Sequence, residues 1–249
     1  MGIMRQMVSI ITTSNCSIPG FLLEDPFFSP AEEVGAKSLY LFLKDDRLSL
    51  MTPTIREEKL NPLSLDFIGP FKYHQKQNYS FKKEPLAKAL GQNSHLVWDI
   101  TCGTGSDATL MLFFGLQVVA FERNKIMWAL LRDALDRAMQ DPEIGHHFRD
   151  RFTLIKGDPR FNSPAERPSA VYYDPMYPEG KRKALPKKEM RVIREVVGDD
   201  LDFNETILWA KGIPTSRFIV KRSLKAPPLN ERPGHIYEGK STRYDVYFS

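Results

Sequence analysis

Asp174-Pro175-Met176-Tyr177 closes the apolar run Ala170-Val171-Tyr172-Tyr173. An acid, a proline and an aromatic at the end of a buried strand can hold a planar amino group while its nitrogen attacks an electrophile. The exocyclic amine of a nucleic-acid base is a poor nucleophile, because its lone pair is delocalised into the ring. A site that uses it must accept hydrogen bonds from the amine, hold the ring flat and aim the lone pair. Asp174 offers the side-chain acceptor and favours positive charge developing on the nitrogen. The Pro175 carbonyl offers a second acceptor, and the proline ring fixes the turn. Tyr177 can stack on the base face. The reaction this suits is a displacement, in which alignment is the main lever. Taken alone, Asp-Pro at a strand end is also an ordinary turn starter, so the assignment leans on a second signature upstream.

That signature is Val97-Trp98-Asp99-Ile100-Thr101-Cys102-Gly103-Thr104-Gly105, a strand running into a glycine-rich cradle. Gly103 and Gly105 let the backbone turn sharply and approach a ligand, and the helix that follows presents free N–H groups. Asp99 could accept loop amides or face the amino-acid portion of a cofactor. Glu122 ends the next strand, where a carboxylate can accept from both hydroxyls of a ribose. Asp158 follows a third strand and can receive a hydrogen from an adenine amino group. Gly103-x-Gly105-x-x-Ala108 followed by an acid also fits a dinucleotide fingerprint, which keeps an NAD-dependent oxidoreductase open as a rival. Dinucleotide binders seat pyrophosphate on the helix N-terminus. Asp107 stands at that helix start and would repel a phosphate, yet it tolerates a cationic or zwitterionic ligand such as S-adenosylmethionine. The balance favours the methyl donor.

These residues need a scaffold, and the chain supplies an alternating one. From residue 96 the pattern predicts strands at 96–100, 117–121, 152–155, 170–173 and 217–221. Helices are predicted between them at 107–114, 124–139 (with Asn124 as N-cap) and 187–197, and an antiparallel pair at 235–237 and 244–248 closes the chain. Such alternation implies a mostly parallel sheet covered on both faces, whose ligands bind at the carboxyl ends of the strands. Both signatures fall there. Residues 1–62 read as a small α/β appendage and 63–249 as the main domain. The appendage has a strand at 8–12, a helix at 29–37 opened by Ser29 and Pro30, and a hairpin across Lys44-Asp45-Asp46-Arg47. A strand is expected at 63–68. Residues 71–95 read as a polar surface connection into a short helix, 84–90, ended by Gly91.

The 249 residues, 42% hydrophobic, suffice for a substantial core. No apolar run reaches bilayer-spanning length, and the N-terminus lacks a full signal core. The two cysteines, Cys16 and Cys102, have neither metal nor disulfide-framework spacing, so no metal is expected and a reduced cytoplasm is the default compartment. His146-His147 is assigned to the surface. Net charge is only +4, so distribution matters more than the sum. Lys181, Arg182, Lys183, Lys187, Lys188, Arg191 and Arg194 face one local acid, Glu189, directly after the Asp-Pro corner. A polyanion is the simplest partner, held by phosphate contacts that position a strand, and Lys221-Arg222 adds to this surface.

Several stretches carry a family likeness: Asp174-Pro175-Met176-Tyr177-Pro178, Lys183-Ala184-Leu185-Pro186-Lys187-Lys188-Glu189-Met190-Arg191-Val192 and Val197-Gly198-Asp199-Asp200-Leu201-Asp202. Asp66-Phe67-Ile68-Gly69, Gly103-x-Gly105-x-Asp107 and Phe121-Glu122-Arg123-Asn124 add to it. Over roughly residues 63–248 the chain resembles the ribosomal small-subunit methyltransferase J family. The resemblance implies a Rossmann-like S-adenosylmethionine-dependent methyltransferase fold, a mostly parallel seven-stranded sheet with the last strand antiparallel. It implies methylation of the N2 amine of a guanine near the 3′ end of 16S rRNA, with the rRNA or the 30S subunit as partner. Donor contacts would fall on Ser106-Asp107, Glu122-Arg123, Asp158-Pro159 and Asp174. Ser106 stands where relatives often carry arginine, and Asp158-Pro159 where they often carry small polar residues. The rivals are a DNA adenine-N6 or protein amide methyltransferase, the oxidoreductase, and a non-catalytic RNA-binding module, against which the intact Asp174 and Tyr177 speak.

Overall fold

The computed structural model describes residues 7–13, 16–35, 37–77, 80–176, 188–226, 229 and 231–248, with Lys188 and Glu189 described by backbone alone. Tyr177, Lys181, Arg182, Lys183 and Lys187 lie outside the described residues, as does the Lys188 side chain.

The N-terminal part is the small α/β appendage expected, built on a four-stranded sheet. It comprises β1 (Val8–Thr12), a single-turn helix α1 (Gly20–Leu23), β2 (Phe28–Pro30), β3 (Tyr40–Lys44), β4 (Arg47–Met51) and α2 (Pro53–Glu57), in strand order β2-β1-β3-β4. The hairpin at Lys44–Arg47 forms as read, and Asp45 and Asp46 both take φ 52°, as tight hairpin turns require. The helix predicted over 29–37 does not form. Ser29 and Pro30 instead pair with Ser9 and Ile10 at the sheet edge, where a proline is tolerated because its missing N–H faces away from the ladder. The strand predicted over 63–68 shrinks to one bridge, Leu50 to Leu63. Asp66 then accepts from the Ile68 and Gly69 amides and starts a helix, α3 (Ile68–Lys76). Residues 71–76 are therefore helical rather than a surface connection. The short helix α4 (Pro85–Leu90) and its Gly91 stop are as expected.

The main sheet contains β5 (Leu96–Asp99), β6 (Gln117–Glu122), β7 (Phe152–Lys156), β8 (Ala170–Tyr173), β9 (Arg217–Ser223), β10 (His235–Glu238) and β11 (Thr242–Phe248). Its order is β10-β11-β9-β8-β5-β6-β7. Five strands run parallel, and β11 slots antiparallel between β9 and β10. Helices α5 (Ser106–Phe113), α6 (Lys125–Gln140), α7 (Gly145–Arg151), α8 (Lys188–Val197) and α9 (Phe203–Lys211) complete it. Sequence reasoning missed α7 and α9. It placed His146-His147 on the surface; His146 is exposed as expected, whereas His147 is half-buried and packs 4.9 Å from the Phe71 ring.

Central strands β5 and β8 are buried on every residue, as parallel strands covered on both faces must be. Alternation sorts their side chains. Val97, Tyr172 and Ile219 enter the core shared with α5 and α6, while Trp98, Tyr173 and Val220 enter a second one with Ile207 and Ala210 of α9. The first core continues into the N-terminal sheet through Leu48, Leu50 and Phe67. Gly105, at φ 76°, is where that packing is closest. A Cβ there would lie 2.3 Å from the Phe67 ring.

At the β9–β11 seam, Asp245 is fully buried between Arg243 (Nε to Oδ1 2.8 Å) and Arg222 (3.6 Å). Arg222 is therefore part of the core and not of the RNA-facing surface assigned to it. Removing one partner of a buried ion pair strands the other. Asp245→Ala is expected to lose about 3–5 kcal/mol of stability, read as a lower urea midpoint at unchanged slope.

Candidate active site

The strand order reverses between β5 and β8, and the crevice outside their carboxyl ends is where such sheets bind ligands. β5 delivers Asp99, which is almost wholly buried and accepts from the Thr101 amide at 3.2 Å. Burial pushes its carboxyl well up, against the pull of that amide. β6 delivers Glu122. Its Oε2 accepts from the Gly103 amide at 3.1 Å and its Oε1 from the Asn124 amide at 2.7 Å. One carboxylate thus fixes the glycine loop against the start of α6, whose N-cap is Asn124 as read. Burial raises the Glu122 carboxyl to about 7, despite those two amides.

β8 delivers Asp174. Its backbone N–H donates to Thr101 Oγ1 at 2.8 Å, tying the corner to the loop after β5. Its Oδ2 accepts from Lys221 Nζ at 2.9 Å, and the same ammonium donates to Asp107 Oδ2 at 2.7 Å. Tyr172 Oη also donates to Asp107, at 2.5 Å. Sequence reasoning read Asp107 as a donor contact at a helix start, with no side-chain partner, and put Lys221 on an outer surface. The structure pairs them inside the site. Two carboxylates against one ammonium still leave an acidic site, so the preference for a cationic ligand stands. Burial raises Asp174 to about 6, with Lys221 pulling down and Asp107 and Asp200 pushing up. Burial pulls Lys221 down, but Asp107 and Asp174 more than offset it and keep the ammonium charged.

A second network forms the rim. Met176 N–H donates to Asp200 Oδ2 at 2.6 Å, and Asp200 N–H donates back to the Met176 carbonyl at 3.0 Å. Arg123 bridges Asp200 and Asp202, and Arg160 joins Asp202 to Asp158. Although burial pushes it up, the Arg160 guanidinium holds the Asp158 carboxyl below its ordinary range. Asn124 Nδ2 donates to the Val196 carbonyl at 2.9 Å, so the end of α8 is pinned to the start of α6.

A cavity lies between these two networks. Of the residues read as donor-binding, Gly103, Glu122, Arg123, Asp158, Pro159 and Asp174 line it. Asp99, Gly105, Ser106 and Asp107 do not line it, and Ser106 is exposed. Ser106 Oγ lies 2.9 Å from Thr104 Oγ1. Ile100, Phe121, Ile193 and Val197 give the cavity an apolar wall. Pro175 is buried beneath the corner. Of the basic run assigned to RNA, Arg191 and Arg194 are the residues whose side chains are described: Arg191 makes a two-pronged pair with Glu58 at 2.7 and 2.6 Å, and Arg194 pairs with Asp199. Among the described residues no cluster could hold a metal ion.

Thr101, Lys221, Asp200 and Asp202 were given no place in the site by sequence reasoning. A lysine following Phe218-Ile219-Val220 in a buried strand was the available signal for Lys221. The acid-dense Asp199-Asp200-Leu201-Asp202 turn was the signal for the rim.

A family profile described as SAM-dependent methyltransferase matches residues 31–249. A ribosomal RNA small subunit methyltransferase J of Haemophilus ducreyi is 38% identical over 218 residues, covering 85% of this chain and 86% of the relative. The protein of that name from Aeromonas salmonicida is 37% identical over 240 residues, covering 91% and 96%. The crystal structure of the SAM-dependent methyltransferase NGO1261 of Neisseria gonorrhoeae superposes with a TM-score of 0.76 at 25% identity, covering 97% of this chain and 96% of that one.

Glu122 is expected to titrate near pH 7 in the free protein, by carbon-13 NMR of its carboxyl. Hydroxyl donors stabilise the ionised form, so saturating S-adenosylmethionine should move the midpoint down. A midpoint that stays in place would remove Glu122 from the ribose site.

Proposed function

The chain belongs to the ribosomal RNA small subunit methyltransferase J family of SAM-dependent methyltransferases, and on that premise we propose that it methylates the exocyclic N2 amine of a guanine in small-subunit rRNA. The observation that carries the reading is Asp174. Its carboxylate lines the cavity and accepts from the half-buried Lys221 ammonium, while its backbone N–H donates to the Thr101 hydroxyl. The two acceptors of the corner, Asp174 Oδ and the Pro175 carbonyl, suit an NH2 group. The base identity follows the family resemblance of the Asp174–Asp202 region.

The residues fit the methyl donor. Glu122 presents a buried carboxylate to a wall of the cavity, suited to a diol. Asp158 and Pro159 border the side where an adenine would lie. Asp174 and Asp107 leave net negative charge where a sulfonium would sit. When bound, S-adenosylmethionine supplies an electrophilic methyl group. The chain's own task is to orient the amine. Asp174 accepts one amine hydrogen, turns the nitrogen lone pair toward the donor cavity, and stabilises the positive charge that grows as the N–C bond forms. A nitrogen that has gained a methyl must shed a proton. A carboxylate with a pKa raised to about 6 is suited to take it near neutrality. The target base must leave its stack to reach this corner. Lys221 stays protonated and takes no proton itself.

Asp174→Asn keeps the shape and removes the charge. Methyl transfer from labelled donor to small-subunit rRNA is expected to fall by roughly 10²–10³-fold, while donor affinity by calorimetry falls by a much smaller factor, since Asp107 keeps its charge beside the sulfonium site. Mass mapping of the wild-type product should place the label on guanine N2. Label found only on DNA or protein, or a variant turning over at the wild-type rate, would overturn the reading.

A further inference from the structure

A cleft of about 640 Å³ lies at the end of the sheet opposite Asp174. Its walls carry Lys82, Lys88, Arg217, Phe81, Tyr237 and Phe248, and no carboxylate lines it. Arg217 is held by a built arrangement. Its Nη1 donates to the Ala89 carbonyl at the end of α4, at 3.1 Å. Its guanidinium carbon lies 5.1 Å above the Phe248 ring. It rests flat on Gly91, where φ is 88° and a Cβ would come within 2.6 Å of that carbon. None of these partners carries charge.

The contrast with the rest of the surface is informative. On the donor side, Arg123, Arg160, Arg191 and Lys221 are each neutralised by a carboxylate. Among the described residues Lys82, Lys88 and Arg217 make no close ion pair, Lys88 sharing only a longer-range attraction with Glu84 one helical turn away. Both lysines are exposed, and Phe248 is 53% exposed beside them. Unneutralised cations interleaved with aromatic faces suit single-stranded nucleic acid, which brings phosphates for the former and base faces for the latter.

We propose that this cleft binds a single-stranded segment of the RNA substrate, with phosphates at Lys82, Lys88 and Arg217 and a base against Phe248. The inference rests on the rRNA reading above. β9 connects the two sites, running from Arg217 in the cleft to Lys221 beside Asp174. Four residues of strand separate them by roughly 13 Å. The cleft therefore contacts RNA away from the target base. It adds affinity and orientation and takes no part in methyl transfer.

The test is binding of unmethylated 30S subunits, and separately of naked 16S rRNA, across a salt series. Lys82→Ala/Lys88→Ala should weaken binding about tenfold or more. It should also reduce the slope of log K against log salt by about 1.4, near 0.7 for each lost phosphate contact on a single strand. Phe248→Ala should weaken binding at least about fivefold and leave the slope unchanged. Donor affinity, thermal midpoint and kcat at saturating RNA should match wild type in the lysine variant. Wild-type affinity and slope in both variants would overturn the proposal and leave the functional reading intact. Loss confined to 30S subunits, with naked rRNA bound normally, would overturn it in favour of a ribosomal protein contact. A wild-type protein that neither binds nor methylates rRNA would sink the functional reading together with the cleft.

Discussion

One ammonium between two carboxylates organises this site. Lys221 reaches from β9 to Asp107 on α5 and to Asp174 after β8. The glycine loop and the Asp-Pro corner are thereby locked to each other through a strand that belongs to neither. Without the ammonium, Asp107 and Asp174 would face each other across the crevice, with Asp99 buried nearby and Asp200 on the rim. Such a cluster would gather protons rather than present charge. With it, Asp174 stays an acceptor near neutrality and presents its charge to the cavity that it lines.

The rim does for the backbone what Lys221 does for the side chain. The reciprocal amide contacts between Met176 and Asp200 fix the segment that leaves the Asp-Pro turn. Arg123 and Arg160 spread the charges of Asp158, Asp200 and Asp202 over two guanidinium groups. Arg123 and Asp158 were read as donor contacts. Their side chains are committed to this network, so what they lend the cavity is a wall of fixed shape. Preorganisation of this kind is what a displacement demands, since a misplaced amine loses the alignment on which the rate depends.

Much of this was legible in the sequence where the signal is local. Buried runs such as Ala170-Val171-Tyr172-Tyr173, the two glycines after Asp99, and Asn124 ahead of an apolar-periodic run each specify their structure within a few residues. The parallel character of the sheet and the placing of both signatures at strand ends followed from alternation, whereas the strand order did not. What escaped was set by distant partners. Ser29-Pro30 reads as a helix start until β1 offers its edge. Leu63 reads as a strand until Asp66 caps a helix three residues on. Lys221 meets Asp107 across 114 residues and Asp174 across 47, and no spacing rule connects them.

The central claim is that Lys221 keeps Asp174 ionised in the working pH range, and the pH profile of single-turnover methyl transfer tests it. Lys221 from β9, Asp107 from α5, Asp99 from β5, Asp200 from the rim, and the hydroxyls of Tyr172 and Tyr244 all face this carboxylate. In the wild type, activity should rise with pH through about 6 as Asp174 loses its proton. Lys221→Met removes the one cation from that set, so the Asp174 pKa rises and the acidic limb should move to higher pH, by about 1–3 units. Lys221→Arg should largely restore it. An acidic limb at the same pH in wild type and Lys221→Met would contradict the account.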